Sequence, residues 1–532
     1  MRLLVVTASC SWTHWQRRCV EQLCAIEGVQ WAGWSIVPAA RQQRASPGWT
    51  LLSRLDRSRF ASAGDPDAPV PPPEGAPAPM TASASLPTRG VAPGDGVRPA
   101  ADVLAAWRTQ VLDVIVWLCP QAPCAGLADV ARAGVWVLTV DGLGAAHPHA
   151  GADAVLRAPH LCEAALWDYG TAPPRSLYRS VSAASSNSLA ATRRRVLAKA
   201  QGFMARCLAS LAADSALPRP PLTGAALANT SSPPRATAWS LALAMGRQVA
   251  LNRWHRLWGL DQWQLAYTLD AALPWHDLRG WRFLVPPPDR FWADPMPLSH
   301  AGANWIFFEE LPFRARRGRL LAQALHADGS AAGTPVQVMA MDSHLSYPFV
   351  FVADGELYLV PETAALRQVR LYRCQRLPDR WELVAVLLDG VNAVDATLYR
   401  RPDGRWWMWV SVVEEGAERG EELHVYSADT LLGPWRGHRH NPLVSDIRCA
   451  RPAGPVRPTA DGLLRPAQNS GQAYGHHIVW RRVETLDDDE YIELPAGELR
   501  PTGNPDWLRM HTVAQAGALR VVDVMVRRRR RA

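Results

Sequence analysis

The stretch that decides the fold lies in the second half of the chain, where residues 346–363 read SYPFVFVADGELYLVPET. It combines a polar-tipped strand, a glycine turn and an apolar second strand. Four further segments repeat this arrangement, at residues 290–311, 393–412, 450–469 and 509–526. Their turn glycines recur at about 50 residues, the size of one four-stranded propeller blade, and are Gly302, Gly355, Gly404, Gly462 and Gly517. The sequence therefore predicts an all-β five-bladed propeller over residues 246–526.

The propeller ring is expected to close with strands from both ends of this half. Two early strands, DQWQLAYTL at 261–269 and GWRFLV at 280–285, precede the first repeat, whereas the last repeat supplies one hairpin. Each end is an incomplete blade by itself. Because sharing one blade leaves no open sheet edge, we predict a blade built from both ends.

The first half of the chain follows a different pattern, in which strands alternate with helices. RLLVVT at 2–7, DVIVWL at 113–118 and GVWVLTV at 134–140 read as buried strands, each next to a helical pattern. The alternation predicts a parallel sheet in a Rossmann-like α/β domain over residues 1–211. Within it, the Pro- and Ala-rich residues 56–101 are predicted to be a disordered insertion, and residues 212–245 a linker.

Composition argues against several classes of protein. The formal charge of +8 is spread along the chain and carried almost wholly by arginine, so we predict no nucleic-acid partner. The arginine run from Arg527 to Arg531 is predicted to be a solvated basic tail, residues 527–532, with weak contact to an anionic surface as the alternative. The nine cysteines lack paired spacing, and we predict neither disulfides, nor a metal, nor a cofactor. Without an apolar run long enough to cross a membrane or a secretory leader, the predicted location is cytoplasmic.

Polar residues on the inner strands should converge on one site, because the first strand of each blade lines the central channel. Asp294 in WADP and Asp395 in VDAT lie among apolar neighbours, where an unpaired carboxylate is costly. We interpret both as functional, with a role in tying strand ends as the structural alternative. Glu362 is the candidate third acid, with pairing to an arginine such as Arg373 as its rival explanation.

Further residues are candidates for binding a substrate. His344 is expected either to donate to a substrate hydroxyl or to cap the turn before blade two, and Trp292 and Tyr474 are expected to stack on a sugar ring. The full predicted binding set is Trp292, His344, Tyr347, Arg451, Gln468, Tyr474 and His511. The second strands offer four more polar residues outside that set, which are Glu309, Glu310, Asn469 and Asp523.

The motifs FWADP, HLSYPFVF, LLDGVNAVDATL and RPAQNSGQAYG make residues 251–526 similar to the N-terminal domain of plant glucosamine inositolphosphorylceramide transferases and their bacterial relatives. The resemblance implies the furanosidase-type propeller shared with arabinanases, xylosidases and invertases. It also implies Asp294 as base or nucleophile and Asp395 as the stabiliser of the transition state. Arg451 stands where those hydrolases carry a blade-four acid. Either Glu362 replaces that acid, or Arg451 binds an anionic group.

Residues 1–211 resemble a formyltransferase domain in strand order and in the motifs DVIVWL and ARAGVWVL. In that family the strand after GVW carries an Asn-x-His pair. Here those positions hold Leu138, Thr139, Val140 and Asp141, and His147 and His149 lie nearby in a turn. The resemblance therefore implies a degenerate domain.

Two functional hypotheses follow from these observations. In the first, the propeller acts on a glycosyl bond in glycan or surface-polysaccharide metabolism, as a hydrolase-like or transferase-associated domain. In the second, it binds a carbohydrate or sugar nucleotide without catalysis and is fused to a degenerate formyltransferase-like domain. The absent blade-four acid favours the second hypothesis, and the two converging aspartates favour the first.

Overall fold

The computed structural model describes residues 1–37, 46–60, 65–77, 97, 99–124, 127, 129–214, 217, 220–223, 237–413 and 417–529. The chain divides into two compact units. The first comprises Met1–Ala250 with Glu414–Glu418, and the second comprises Leu251–Val413 with Arg419–Ala532. No helix in the described part of the chain is long and apolar enough to cross a membrane.

The first unit is built on one sheet with helices packed against it. Its strands are β1 (Arg2–Thr7), β2 (Trp12–Thr13), β3 (Gln30–Ile36), β4 (Pro69–Val70), β5 (Val114–Trp117), β6 (Val135–Val140), β7 (Leu143–Gly144), β8 (Leu161–Asp168) and β9 (Arg175–Ala183). Its helices are α1 (His14–Cys24), α2 (Pro47–Phe60), α3 (Ala101–Arg108), α4 (Ala152–Leu156), α5 (Leu189–Ala200) and α6 (Phe203–Asp214). The next helix, α7 (Ala238–Trp258), contains the boundary between the two units at Ala250 and Leu251.

The sheet of the first unit has the order β3-β1-β5-β6-β8-β9. The pairs β3-β1, β1-β5 and β5-β6 are parallel, as the alternation of strands and helices predicts. The pairs β6-β8 and β8-β9 are antiparallel, so the sheet as a whole is mixed and the prediction of an all-parallel sheet is wrong. The helix predicted before β6 is also absent, because residues 129–134 form turns among the described residues.

Two predicted boundaries need correction. Within the segment 56–101, for which we predicted disorder, residues 56–60 end helix α2 and residues 69–70 form β4, while residues 61–64, 78–96 and 98 lie outside the described residues. Asp56 and Asp67 explain the order, since Asp56 Oδ2 accepts the Ala190 N–H at 2.7 Å and Asp67 forms an ion pair with buried Arg193. The predicted linker 212–245 overlaps the end of α6 and the start of α7.

The second unit is a propeller of five sheets. Blade one is β12 (Arg290–His300), β13 (Ala303–Pro312), β14 (Arg319–Leu325) and β15 (Ala331–Met339). Blade two is β16 (Ser346–Ala353), β17 (Glu356–Glu362), β18 (Gln368–Arg376) and β19 (Arg380–Asp389). Blade three is β20 (Ala393–Arg400), β21 (Trp406–Val412), β22 (Glu422–Ala428), β23 (Arg436–Gly437) and β24 (Val444–Ser445). Blade four is β25 (Arg457–Thr459), β26 (Gly462–Asn469), β27 (His477–Leu486) and β28 (Tyr491–Leu499).

Blade five joins both ends of the unit. It comprises β10 (Gly259–Thr268), β11 (Arg282–Leu284), β29 (Trp507–Arg509), β30 (Val513–Ala516) and β31 (Leu519–Arg529). The ladder between β10 and β31 runs antiparallel from Gly259–Arg529 to Thr268–Arg520. The predicted closure and the count of five blades are confirmed, and all five turn glycines of the repeat have positive φ.

The basic tail is a further correction. Arg527 lies within β31 and forms an ion pair with Asp261 at 2.8 Å, so its charge is balanced inside the closing ladder. Residues 530–532 lie outside the described residues.

Candidate functional site

Three inner strands carry the same irregularity at their start. Asp294 on β12, Tyr347 on β16 and Asp395 on β20 have φ values of 52°, 43° and 56°. At each of these residues the ladder to the next strand shifts register, as in a β-bulge. Residues other than glycine rarely hold a positive φ, which costs on the order of 1–3 kcal/mol each. Blades one, two and three therefore repeat one strained bulge, which turns a polar side chain toward residues of other blades.

Asp294 is linked to blade five through His511. The imidazole Nε2 lies 3.2 Å from Asp294 Oδ1, and Nδ1 lies 2.8 Å from Asp523 Oδ2. Burial alone would lower the pKa of His511, but the two carboxylates outweigh it and raise the pKa to about 10. Burial would raise the pKa of Asp294, yet His511 and the Thr512 hydroxyl, which donates at 2.9 Å, bring it below its ordinary value. Asp294 is therefore ionised at neutral pH.

Asp395 forms a buried ion pair with the arginine of blade four. Arg451 Nε donates to Asp395 Oδ2 at 2.5 Å, and Nη2 donates to Oδ1 at 3.3 Å. Gln468 Nε2 donates to the same Oδ2 at 3.2 Å. These contacts engage two guanidinium nitrogens of Arg451, and its charge is balanced by Asp395. They do not favour the interpretation of Arg451 as a free anchor for an anionic substrate.

Glu362 lies beside this pair and shares its electrostatic environment. Its Oε2 is 4.0 Å from Arg451 Nη2, and its Oε1 is 3.8 Å from Arg419 Nη1. Burial, together with the neighbouring Asp395 carboxylate, raises the pKa of Glu362 to about 8. Burial raises the pKa of Asp395 as well, but Arg451, which bonds directly to Asp395, opposes that rise, so we assign the proton at neutral pH to Glu362. The rival explanation of Glu362, pairing with an arginine, is met by Arg451 and Arg419 and not by Arg373, which contacts Glu382 at 3.3 Å.

Glu309 is a member of the cluster that our predicted site omitted. It is 5% exposed on β13, and its Oε1 accepts no hydrogen bond in the described structure. Burial, with the charges of Asp294 and Glu362, raises the pKa of Glu309 well above its ordinary value. The sequence signal was present in FFEEL, where one of two adjacent glutamates must face inward, but it did not say which. Glu310, the other one, is bound by Arg319 and Arg290.

Four of the predicted binding residues, which are Tyr347, Gln468, His344 and Tyr474, differ in what they contact and in how exposed they are. Tyr347 and Gln468 support the acids: the Tyr347 N–H donates to Asp294 Oδ2 at 3.3 Å, and its hydroxyl lies 2.7 Å from Thr397 Oγ1. His344 reaches Glu309, with Nε2 3.4 Å from Oε1, and about a third of its side chain is exposed. Tyr474 is 46% exposed, and its ring lies 5.2 Å from the Arg451 guanidinium and 5.4 Å from His511. Tyr474 is therefore the predicted aromatic that offers an open ring beside the cluster.

Trp292 does not fit the predicted role of a sugar-stacking residue. The side chain is 9% exposed and packs on Phe308 with ring centroids 5.1 Å apart. Its indole N–H donates to Glu310 Oε2 at 3.1 Å. The ring is part of the core, so its assignment to substrate binding is corrected.

Asp294, His511 and Asp523 also have the composition of a metal site, with ligand-type atoms within 4.8 Å of one another. A metal would need the neutral imidazole, whereas the two carboxylates keep His511 protonated up to about pH 10. Each ring nitrogen already faces a carboxylate oxygen. The arrangement fits an ion-paired imidazolium better than a metal, and the expected absence of a metal stays a prediction.

The turn histidines of the first unit are held by contacts within that unit. His147 Nδ1 accepts the His149 N–H at 3.1 Å, and His149 stacks on Trp49 with ring centroids 3.8 Å apart. Burial lowers the pKa of His147 to about 4. These contacts account for both histidines without a catalytic role.

Comparison with known proteins supports the resemblance of the second half. Residues 285–501 match the family model of the N-terminal region of glucosamine inositolphosphorylceramide transferase 1. The transferase from Oryza sativa subsp. japonica is 31% identical over 252 residues, covering 44% of this chain and 33% of the relative. The Arabidopsis thaliana transferase is 31% identical over 233 residues, covering 42% and 30%. The predicted resemblance is confirmed for this region, and the chain spans about a third of the length of these relatives.

Solved structures similar to the chain include two glycoside hydrolases. A GH43 beta-xylosidase/alpha-arabinofuranosidase from a compost microbial metagenome has a TM-score of 0.33 and 12% identity, covering 45% of this chain and 91% of the other. A family 117 glycoside hydrolase from Zobellia galactanivorans has a TM-score of 0.32 and 11% identity, covering 50% and 90%. The count of five blades rests on the strand pairing of this chain itself.

Proposed function

We propose that the propeller is a carbohydrate-active domain of glycan or surface-polysaccharide metabolism that acts on a glycosyl bond. One feature of the structure carries the proposal: in a single buried cluster the surroundings lower the pKa of Asp294 and raise the pKa of Glu362 to about 8, which favours an ionised Asp294 beside a protonated Glu362. Most enzymes that hydrolyse a glycosyl bond use such a pair of carboxyl groups in opposite protonation states. The sequence match to transferases named for glucosamine transfer supports a glycosyl group as the substrate.

Each acid has a distinct role in the proposed reaction. As a base, Asp294 takes the proton of a water or acceptor hydroxyl that attacks the anomeric carbon; as a nucleophile, it attacks that carbon itself and the acceptor then displaces it. In both cases Glu362 gives its proton to the leaving oxygen as the glycosyl bond breaks. Asp395 stabilises the positive charge that develops on the sugar ring, while Arg451 and Gln468 keep its carboxylate in place. The half-exposed Tyr474 ring stacks on the face of the sugar.

The second candidate function is a carbohydrate- or sugar-nucleotide-binding module without catalysis, fused to a degenerate formyltransferase-like domain. The contacts of Asp294 favour it, because both carboxylate oxygens have partners in Thr512, His511 and the Tyr347 N–H. In this alternative the aspartates hold strand ends and the cluster recognises a glycan.

The two functions are separated by measuring binding and product formation together. The purified chain is titrated with oligosaccharides and sugar nucleotides, and Asp294→Asn and Glu362→Gln are compared with the control Glu382→Gln, whose side chain is 55% exposed. We expect either site change to lower turnover by about 10²- to 10⁴-fold while binding is retained. We also expect turnover to fall above about pH 8 as Glu362 ionises. Tight binding by the wild type without product would support the module instead.

A further inference from the structure

The first unit contains a cavity of about 230 Å³, which we call the α2 cavity. Residues of helix α2, of the start of helix α5 and of the turn after β7 form its walls. The lining residues all belong to the first unit and are Thr13, Ser53, Asp56, Arg57, Asp67, Ala146, Pro148, Leu189, Ala190 and Arg193. Residues 138–141, which stand where the formyltransferase family has its catalytic pair, do not line it. The α2 cavity is therefore separate from those positions.

Asp56 is a buried carboxyl in the wall of the α2 cavity. The side chain is 5% exposed, and its Oδ2 accepts the Ala190 N–H at 2.7 Å, at the start of α5. The other oxygen, Oδ1, is also buried but accepts no hydrogen bond among the described residues. A buried acceptor without a donor destabilises the folded chain. Asp56 therefore offers an unused acceptor to a ligand.

Ser53 and Arg57 contribute hydrogen-bonding groups from the same helix. They are four positions apart on α2, so they lie on one face of the helix, and both line the α2 cavity. Arg57 Nε donates to the Ser53 backbone oxygen at 3.3 Å, which is the one hydrogen bond of this side chain within the described part of the chain. The two Nη groups of Arg57 therefore remain as donors for a ligand.

The charged groups around the α2 cavity balance one another. Arg193 pairs with Asp67 at 2.6 Å and also donates to three backbone oxygens, so this pair is satisfied within the protein. The remaining charged groups are one carboxyl and one guanidinium, those of Asp56 and Arg57, and their formal charges cancel. A ligand with a net charge would therefore lack a counter-charge here.

The size and the walls of the α2 cavity narrow the class of ligand further. Pockets for drug-sized ligands measure about 300–1,000 Å³, so a cavity of about 230 Å³ fits a smaller molecule. Ala146, Pro148 and Leu189 supply an apolar wall for C–H groups. A hydroxyl both donates and accepts a hydrogen bond, so neighbouring hydroxyls suit an acceptor placed close to donors.

We propose that the α2 cavity binds a neutral polyhydroxylated molecule of about the size of one sugar ring. One hydroxyl donates to Asp56 Oδ1, and a neighbouring hydroxyl accepts from the Arg57 guanidinium. This site lies within the first unit, and the proposal does not depend on the function proposed for the propeller.

The test is a titration of the full chain with single sugars, followed by saturation-transfer NMR. The probes are D-glucose, D-galactose and D-mannose, each compared with its 6-phosphate and its 2-amino derivative. We expect saturable binding of at least one neutral sugar. Its two charged derivatives are expected to bind more weakly, because the cavity provides no net counter-charge.

Two variants test the cavity itself. Arg57→Gln is expected to weaken binding about tenfold or more, because hydrogen bonds from a charged donor are lost. Asp56→Asn keeps an oxygen for the Ala190 N–H but replaces the second acceptor by a donor, and a similar loss is expected. The matched control is Arg54→Gln, which removes an exposed arginine of the same helix and is expected to bind as the wild type does. Unchanged melting temperatures check that the variants fold.

A further variant separates the α2 cavity from the propeller. Tyr474→Ala removes the open ring beside the acid cluster, so binding that survives this change and is lost in Arg57→Gln supports the proposal. Binding that is lost in Tyr474→Ala and kept in Arg57→Gln would assign the sugar to the propeller and overturn it. The proposal is also overturned if none of the three sugars binds, if a charged derivative binds more tightly than its sugar, or if Arg57→Gln and Arg54→Gln lose binding equally.

Discussion

Two buried ionic clusters in the propeller differ in their balance of charge. In blade four, Glu493 accepts hydrogen bonds from Arg465 at 2.9 Å, Arg481 at 3.0 Å and the Tyr491 hydroxyl at 2.6 Å. Although burial opposes it, these partners hold the pKa of Glu493 below its ordinary value. The second cluster, which we call the channel cluster, gathers more acids than bases and consists of Asp294, Glu309, Glu362, Asp395, Asp523, Arg451 and His511.

The difference separates a structural network from a reactive one. A buried carboxylate stays ionised and holds strands together when both of its oxygens accept hydrogen bonds from cationic and neutral donors. Acids that outnumber their cations must keep protons, and they leave buried acceptors such as Glu309 Oε1 without a hydrogen bond among the described residues. Strongly shifted acids beside a strained backbone are typical of functional sites. The channel cluster is therefore expected to destabilise the propeller, whereas the network in blade four is expected to stabilise it.

The largest expected effect is a loss of stability in blade four. Glu493→Gln leaves Arg465 and Arg481 buried without a counter-charge, so we expect the free energy of unfolding to fall by about 3–5 kcal/mol. Denaturant unfolding measures it, with Glu498→Gln, whose side chain is 54% exposed, as the control expected to change little. A loss below about 1 kcal/mol would mean that the blade-four network is not structural.

In the channel cluster the equivalent substitution is not expected to lower the free energy of unfolding. Glu309→Gln removes an acid whose ionised form is penalised by burial and by Asp294 and Glu362. We expect the free energy of unfolding at pH 9 to stay the same or to rise by up to about 1 kcal/mol. The measurement is denaturant unfolding at pH 9 beside Glu493→Gln. Equal losses in the two variants would remove the distinction between the clusters.

The smallest expected effect is in the pH dependence of stability. His511 has a pKa of about 10 in the folded chain against an ordinary 6.5, so its contribution is complete below pH 6.5 and is lost as the pH rises through 10. Glu362, at about 8 against 4.5, loses its contribution as the pH rises through 8. We expect the melting temperature to fall by several degrees between pH 6 and pH 9.5. Glu362→Gln should flatten the part of that fall between pH 6 and pH 8, where only the folded state keeps the proton of Glu362, and an identical fall in the variant would contradict the assignment.

Much of the propeller could be predicted from the sequence, because its turns repeat. The glycines at 302, 355, 404, 462 and 517 all need positive φ, and that requirement leaves a visible period. Asp294 and Asp395 could be singled out because each is an acid among apolar neighbours. The first unit carried weaker signals: Pro- and Ala-rich composition suggested disorder from residue 56 onward, where Asp56 and Asp67 tie residues 56–60 and 65–77 to helix α5.

The rest of the site could not be predicted from the sequence, because it depends on contacts between residues that are far apart along the chain. Nothing in FFEEL says which glutamate faces Asp294, since a β-bulge between Ala293 and Met296 changes the register of the facing strand. The tryptophan of FWADP looked like a stacking platform until its indole N–H was seen to bond to Glu310. The proton on Glu362 follows from Arg451 bonding to Asp395, a contact across 56 residues of sequence.

The most direct test of the central claim is the protonation state of the two key acids at neutral pH. Infrared difference spectra of wild type minus Glu362→Gln report the carbonyl stretch of a protonated carboxyl, and those of wild type minus Asp294→Asn serve as the comparison. The account predicts a carboxylic-acid band at pH 7 that Glu362→Gln removes and that titrates away near pH 8, and it predicts a carboxylate band for Asp294. A carboxylate signal from Glu362 at pH 7, or a carboxylic-acid signal from Asp294, would contradict it.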